Sequence, residues 1–239
     1  MNFLSKKDGI KERNKDSLGG FLVDTGVYGA TIKLAYMTQA AESDAVALNF
    51  EFELSTGVKY KEQIWITNKQ GDNTYVDKNT KELAYLPGFE LASDITLCAT
   101  GQELDEQEIE DKVIMLYNAE AGKEIPTEVK MFTSMIDAEL QLGIHKIKTF
   151  KQAKNASGIY EDTAEIREVN NIHKAFSADG FTVTEMKAGA EAPEFIEKYR
   201  KEFTSEYVKD KTAKKTDTKK SAAPSGMKSA TKSLLKPKG

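Results

Sequence analysis

The clearest pattern in the chain is a strict alternation over residues 46–66. Val46, Leu48, Phe50, Phe52 and Leu54 alternate with Ala47, Asn49, Glu51 and Glu53. Ser55-Thr56-Gly57 makes a three-residue turn, with Gly57 suited to the left-handed position. Val58, Tyr60, Ile64 and Ile66 then alternate with Lys59, Lys61, Gln63 and Trp65. Period two marks half-buried strands. Folding about Thr56 sets Leu54 against Val58, Phe52 against Tyr60 and Leu48 against Ile64 on one face. On the other face Glu53 meets Lys59, Glu51 meets Lys61 and Ala47 meets Trp65.

Upstream, GVYGATIKLAYM carries Tyr28, Ala30, Ile32, Leu34 and Tyr36 on one parity, which predicts another half-buried strand. Downstream, NKQGDNTYVDKNTKE predicts a short second hairpin around Gly71-Asp72-Asn73. LPGFELASDITLCATG predicts a helix: Pro87 suits an early position, Leu91, Ile95 and Cys98 recur at helical spacing, and Gly101 ends it. DKVIMLYN, TEVKMFTSMI and LQLGIHKIKTF read as three more strands. After Phe150 the pattern changes. Ile166, Val169, Ile172, His173 and Phe176 fall at helical spacing, and Pro193 to Val208 reads as a second amphipathic helix. The predicted organisation is a flexible lead-in (1–20), a mainly β, barrel-like domain with one helix between strands (21–155), a helical C-terminal extension (156–208) and a disordered basic tail (209–239).

Charge changes this picture. The formal net charge is -4, yet residues 211–239 hold nine lysines and one acid, Asp217, so residues 1–210 carry about -12. Only Arg13, Arg167 and Arg200 are arginines. Lysine meets phosphate as a point charge, whereas arginine supplies the fork that reads guanine edges. Lysine dominance therefore favours backbone tracking over sequence readout in any nucleic-acid binder. No stretch approaches the apolar length of a membrane span, and the first residues lack a signal peptide's apolar run. A single cysteine, Cys98, suits a reducing cytoplasm. The expectation is a soluble, cytoplasmic protein.

Catalytic chemistry finds little to work with. The chain has two histidines and none of the HExxH, CxxC, P-loop, GxSxG or GxGxxG motifs. His145, beside Lys146 and Lys148, reads as a surface histidine. His173 reads as a structural residue of a helix, and Cys98 as a small buried hydrophobe. The acidic run at 102–111 lacks the alternation and central glycine of a calcium loop. The expectation is a non-enzyme with no cofactor and no metal. Trp65 is the one feature that points outward. Hairpin parity sets it opposite the core, on the face that carries Lys59 and Lys61. Exposed rings on which bases stack, beside ammonium groups that meet phosphate, are what single strands need. Tyr75 is a candidate second platform and Lys69 a further phosphate contact. The competing expectation has Trp65 packed under the C-terminal helices, and Glu51 and Glu53 count against binding on its face.

The phrases GVYGATIKLAYMTQA, ALNFEFELSTGVKYKEQIWITN, LPGFELASDITLCATG, GKEIPTEVKMF and IREVNNIHKAFSADGFTVTE together resemble single-stranded DNA-binding proteins of tailed bacteriophages. The closest likeness is to the OB-fold type of phages that carry a virion RNA polymerase. The resemblance covers about residues 21–190 in texture and order. It implies an OB-like barrel that coats single-stranded DNA in replication and recombination in the host cytoplasm, with Trp65, Tyr75, Lys59, Lys61 and Lys69 as contacts. Many such proteins end in an acidic tail that recruits partners, and this chain ends in the opposite sign. The alternative is a protein-interaction factor, such as a transcription coactivator that docks on RNA polymerase or replication proteins through Lys232, Leu234, Leu235, Lys236 and Lys238. A third reading is a small virion or scaffold protein.

Overall fold

A computed structural model describes residues 22–118, 121–155 and 160–212. The fold is mainly β. The first three strands, β1 (Gly26–Gln39), β2 (Val46–Leu54) and β3 (Lys59–Trp65), form an antiparallel meander. The β2–β3 register is the one the alternation predicts, from Ala47 opposite Trp65 to Glu53 opposite Lys59. Phe50, Phe52, Leu48, Leu54 and Ile64 face the core.

In β1 the parity expectation holds only halfway. A bulge at Lys33 shifts the register between Ile32 and Leu34. Ala30 and Ile32 face the main core before it, but Ala35 and Met37 do so after it. Leu34 and Tyr36 are turned to the other face, where they join Val129, Met131, Ile114 and Leu116 in a second cluster. One extra residue reverses every later side chain.

A two-stranded ribbon follows the meander, β4 (Thr74–Val76) and β5 (Leu83–Tyr85). Its turn spans Asp77–Glu82 rather than the predicted Gly71–Asn73, because the Asp77 carboxylate accepts from the amides of Asn79 and Thr80. Gly71 instead closes a tight loop around the Asn68 side chain.

Helix α1 (Pro87–Thr100) buries Ala92, Ile95 and Cys98 and ends at a left-handed Gly101, as predicted. Its start lies so close to β3 that a Cβ on Gly88 would overlap the Trp65 carbonyl oxygen. Strands β6 (Ile109–Asn118) and β7 (Lys123–Phe132) form a long hairpin, and β7 pairs with the far end of β1. Strand β8 (Glu139–Lys154) pairs with the near end of β1.

The largest correction falls at 160–177. The predicted helix there is strand β9 (Tyr160–Ser177), paired along its length with β8. The β8–β9 ladder joins the segments on either side of residue 155, where the sequence suggested a boundary. The helical spacing has a physical cause. His173 is an extra residue between Ile172, opposite Ile144, and Lys174, opposite Gly143. This bulge puts Ile172 and Ala175 on the core face three residues apart, while Phe176 is buried on the opposite face. Around the bulge, burial on both faces mimics helical periodicity over Ile172 and Phe176, while Ile166 is exposed.

The C-terminal extension is less helical than predicted. A short helix α2 (Val183–Lys187) starts at a capping box in which Thr182 and Glu185 cap each other. The second predicted helix shortens to α3 (Phe195–Glu202). The chain then forms β10 (Val208–Asp210), parallel to β8, so Lys209 and Asp210 belong to the sheet rather than the tail.

The sheet order is β10-β8-β1-β2-β3, with β9 on β8 and the β6–β7 hairpin branching from β1. No ladder joins β3 to β9, so the sheet is not closed. A side chain spans that seam instead. The Glu62 carboxylate on β3 accepts from the Ile172 amide of β9 at 3.3 Å and from the Tyr60 hydroxyl. Burial pushes the Glu62 carboxyl above its usual range, and these two donors pull it back in part. Among the described residues, no helix is long and apolar enough to cross a membrane.

Glu62→Ala leaves the Ile172 amide and Tyr60 hydroxyl without that acceptor. It should cost roughly 1–3 kcal/mol of stability by chemical denaturation, and Glu62→Gln, which keeps an acceptor, should cost less. Equal stability of Ala and wild type would remove the carboxylate from the seam.

Candidate nucleic-acid interface

Strand β3 presents Lys59, Lys61, Gln63 and Trp65 on its outer face, because the alternation that buries Tyr60 and Ile64 turns these four outward. Trp65 is 46% exposed and stacks on no other ring among the described residues. It does not lie under the C-terminal helices. Across the strands, the Gln63 amide donates to Asn49 at 3.0 Å and Asn49 donates to Thr38 at 2.8 Å. This amide ladder was readable from the hairpin parity, which sets Gln63 opposite Asn49. Beyond it the second apolar cluster, with Tyr36, Val129 and Met131 at its centre, rises on the same face.

The lysines on this face are largely answered by acids. Lys61 pairs with Glu51, and Lys33 bridges Glu53 and Asp137 at 3.7 and 2.9 Å. Lys59 makes no ion pair among the described residues, although it stands opposite Glu53. Lys69 lies in the loop after β3, where its carbonyl accepts from the Asp44 amide. Tyr75 sits on the separate β4–β5 ribbon and is 39% exposed. So Trp65, Lys59 and Lys61 share one face, while Lys69 and Tyr75 are on neighbouring segments. Tyr85, on the opposite face of that ribbon from Tyr75, stacks on Phe89 with centroids 4.9 Å apart, a pair the sequence reading did not single out. Lys232, Leu234, Leu235, Lys236 and Lys238 lie outside the described residues.

The histidines form a second cluster. His145 is buried, contrary to the surface position expected of it, and stacks on His173 with centroids 4.0 Å apart. The Tyr199 hydroxyl lies 2.9 Å from His145 Nε2 and 3.0 Å from His173 Nδ1. Gly143 makes the space, since a Cβ there would sit 2.6 Å from that hydroxyl. His145 Nδ1 has no hydrogen-bond partner among the described residues. A bare acceptor is tolerated better than a bare donor in such a place. The tautomer that leaves no bare donor carries the proton on His145 Nε2, so that Nε2 donates to Tyr199 and Tyr199 donates to His173. Burial, then His173, then Lys209 push the His145 imidazole down from 6.5 to about 4. Phe203 and Tyr207 close over the pair. The cluster clamps the C-terminal segment onto β8 and β9. Burial pushes the Cys98 thiol up to about 12, as suits a packed side chain rather than a nucleophile.

Comparison with known protein families finds no matching family model, and comparison with curated proteins finds no relative.

His145 is held neutral when folded and titrates near 6.5 when unfolded. Between these values the unfolded chain binds more protons, so stability drops as pH falls from about 6.5 to about 4, by up to about 3 kcal/mol. Denaturation curves of wild type and His145→Gln across that window test this, since the variant should lose part of the pH dependence. Parallel curves would exclude His145 as the titrating group.

Proposed function

We propose that the chain is a single-stranded DNA-binding protein, with an OB-like barrel left unsealed at the β3–β9 seam and the outer face of β1–β3 as its binding surface. It acts without chemistry of its own, coating strands in replication and recombination. The supporting observation is Trp65: the only tryptophan, half exposed, unstacked, and beside an amide ladder and two lysines on a sheet face. An exposed ring leaves apolar surface in water in the free protein and covers it by stacking when a base arrives. Duplex bases are already stacked and offer no such gain. The amide ladder supplies donors and acceptors without a fixed sequence preference. The coactivator reading rests on the tail sequence alone, and no observed geometry favours it.

The charge pattern refines the reading. With Lys61 held by Glu51, the face carries little net positive charge. Stacking then contributes more of the affinity than ion pairing, and the salt dependence is shallow for a lysine-rich protein.

Titrating the full chain with oligo-dT should quench the Trp65 emission. Trp65→Ala should weaken binding by about 1–3 kcal/mol without unfolding the protein. Duplex should bind about 100-fold more weakly, the gap arising from stacking. Glu51→Gln should tighten binding by freeing Lys61 for phosphate. An unquenched tryptophan together with unchanged affinity in Trp65→Ala would sink the assignment of this face.

A further inference from the structure

A groove of about 940 Å³ opens on the core side of the meander, between α1, the start of β6 and α2. It is separate from the outer face, since Ile66 and Met37 line it while Trp65 points the other way. Its floor is apolar: Met37, Ile66, Phe89, Leu104 and Phe132. Tyr85, stacked on Phe89, and Ile109 are the exposed hydrophobic members of its lining.

The rim is acidic. Glu90, Asp94, Glu103 and Asp105 line it against two lysines, Lys174 and Lys187. Both lysines are already committed, Lys174 to Asp94 and Lys187 to Glu103, each at 2.9 Å. Glu90 and Asp105 have no ion-pair partner among the described residues. Such a lining repels phosphate and attracts a basic segment that carries apolar side chains.

The chain contains one. Residues 211–239 carry nine lysines against Asp217, and Leu234-Leu235 lies between Lys232 and Lys236. A groove of this size takes several side chains of leucine bulk. Reach is not limiting. Asp210 pairs with Lys148, and Lys174 on the groove rim pairs with Gly143. The rise along five residues of β8 plus two strand spacings puts them about 20 Å apart. The 22 residues from Ala213 to Leu234 span about 70 Å fully extended and about 25 Å as a coil.

We propose that this groove is the docking site of the chain's own C-terminal Lys-Ser-Leu-Leu-Lys element, with Leu234 and Leu235 on the apolar floor and the flanking lysines facing Glu90 and Asp105. The contact is intramolecular and independent of what Trp65 binds. It holds the basic tail on the acidic body until a competing acidic protein partner draws it away.

Disulfide trapping in the full chain tests this. Ser233→Cys is combined with Glu90→Cys at the groove rim or with Glu53→Cys on the outer face, and Cys98, being buried, stays silent. A docked tail raises the local concentration, so the groove pair should close about tenfold faster or more than the outer pair. Leu234→Ser with Leu235→Ser, or Asp105→Lys, should remove that advantage while Trp65 emission and circular dichroism stay unchanged. Equal rates for the two pairs, or a groove rate insensitive to the leucines, would overturn the site. Crosslinked dimers in place of closed monomers would overturn the intramolecular contact.

Discussion

The bulge at Lys33 is the constraint on which the rest of the sheet depends. Strand β1 pairs with β2 along its length, with β8 at its start and with β7 at its end. A regular strand would present one apolar face throughout. By reversing the faces after Ile32, the bulge lets β1 serve the main core and also offer Leu34 and Tyr36 to β6 and β7. Without that reversal Leu34 and Tyr36 would turn to the main core, and Ala35 and Met37 would face the β6–β7 hairpin in their place. Bulges recur where a sheet must turn or change partners, and the one at His173 has the same logic. It brings the His173 ring onto His145 and lets β9 face the core and the C-terminal segment at once.

What the sequence made legible follows from this. The β2–β3 hairpin was readable to the residue because it has a tight turn, unbroken alternation and one buried face. Register is strongly specified under those conditions. Helix α1 was readable from Pro87, its apolar spacing and Gly101. The same parity put Trp65 on the face opposite the core but left open whether the C-terminal helices cover it, and it is exposed. Two of the misreadings share one cause: an inserted residue changes the period of the pattern and leaves no mark of its own in composition. At Lys33 it reversed the parity, and at His173 it made a strand look helical. Helix α2 did carry a signal, the Thr182–Glu185 capping box, but it is too short for periodicity to show. The His145–Tyr199 contact joins residues far apart in sequence and depends on the missing Cβ of Gly143. No local pattern encodes that.

Charge is arranged as deliberately as shape. Lys33 and Lys61 of the outer face are held by Glu51, Glu53 and Asp137, and two of the four acids of the groove rim are held by Lys174 and Lys187. Exposed pairs of this kind add little to stability. Their larger effect is on what each surface attracts. A face neutralised by its own acids admits aromatic stacking without becoming a general anion trap. A rim with two unanswered carboxylates selects for cations. Two surfaces of opposite preference can then coexist on one acidic body.

The two surfaces also meet in the backbone. Gly88 lies against the Trp65 carbonyl with no room for a Cβ, and the next residue, Phe89, lines the groove. Helix α1 therefore touches the Trp65 strand at its first turn and the groove one residue later. Close-packed interiors leave no slack at such a contact. An occupant that pushed Phe89 outward would have to move Gly88 across the peptide that carries Trp65. Phe89 is only partly buried and leans on the exposed Tyr85, so the yielding side of the groove is the β4–β5 ribbon rather than α1. The geometry thus lets the groove adapt through the ribbon while the strand beneath Trp65 stays fixed.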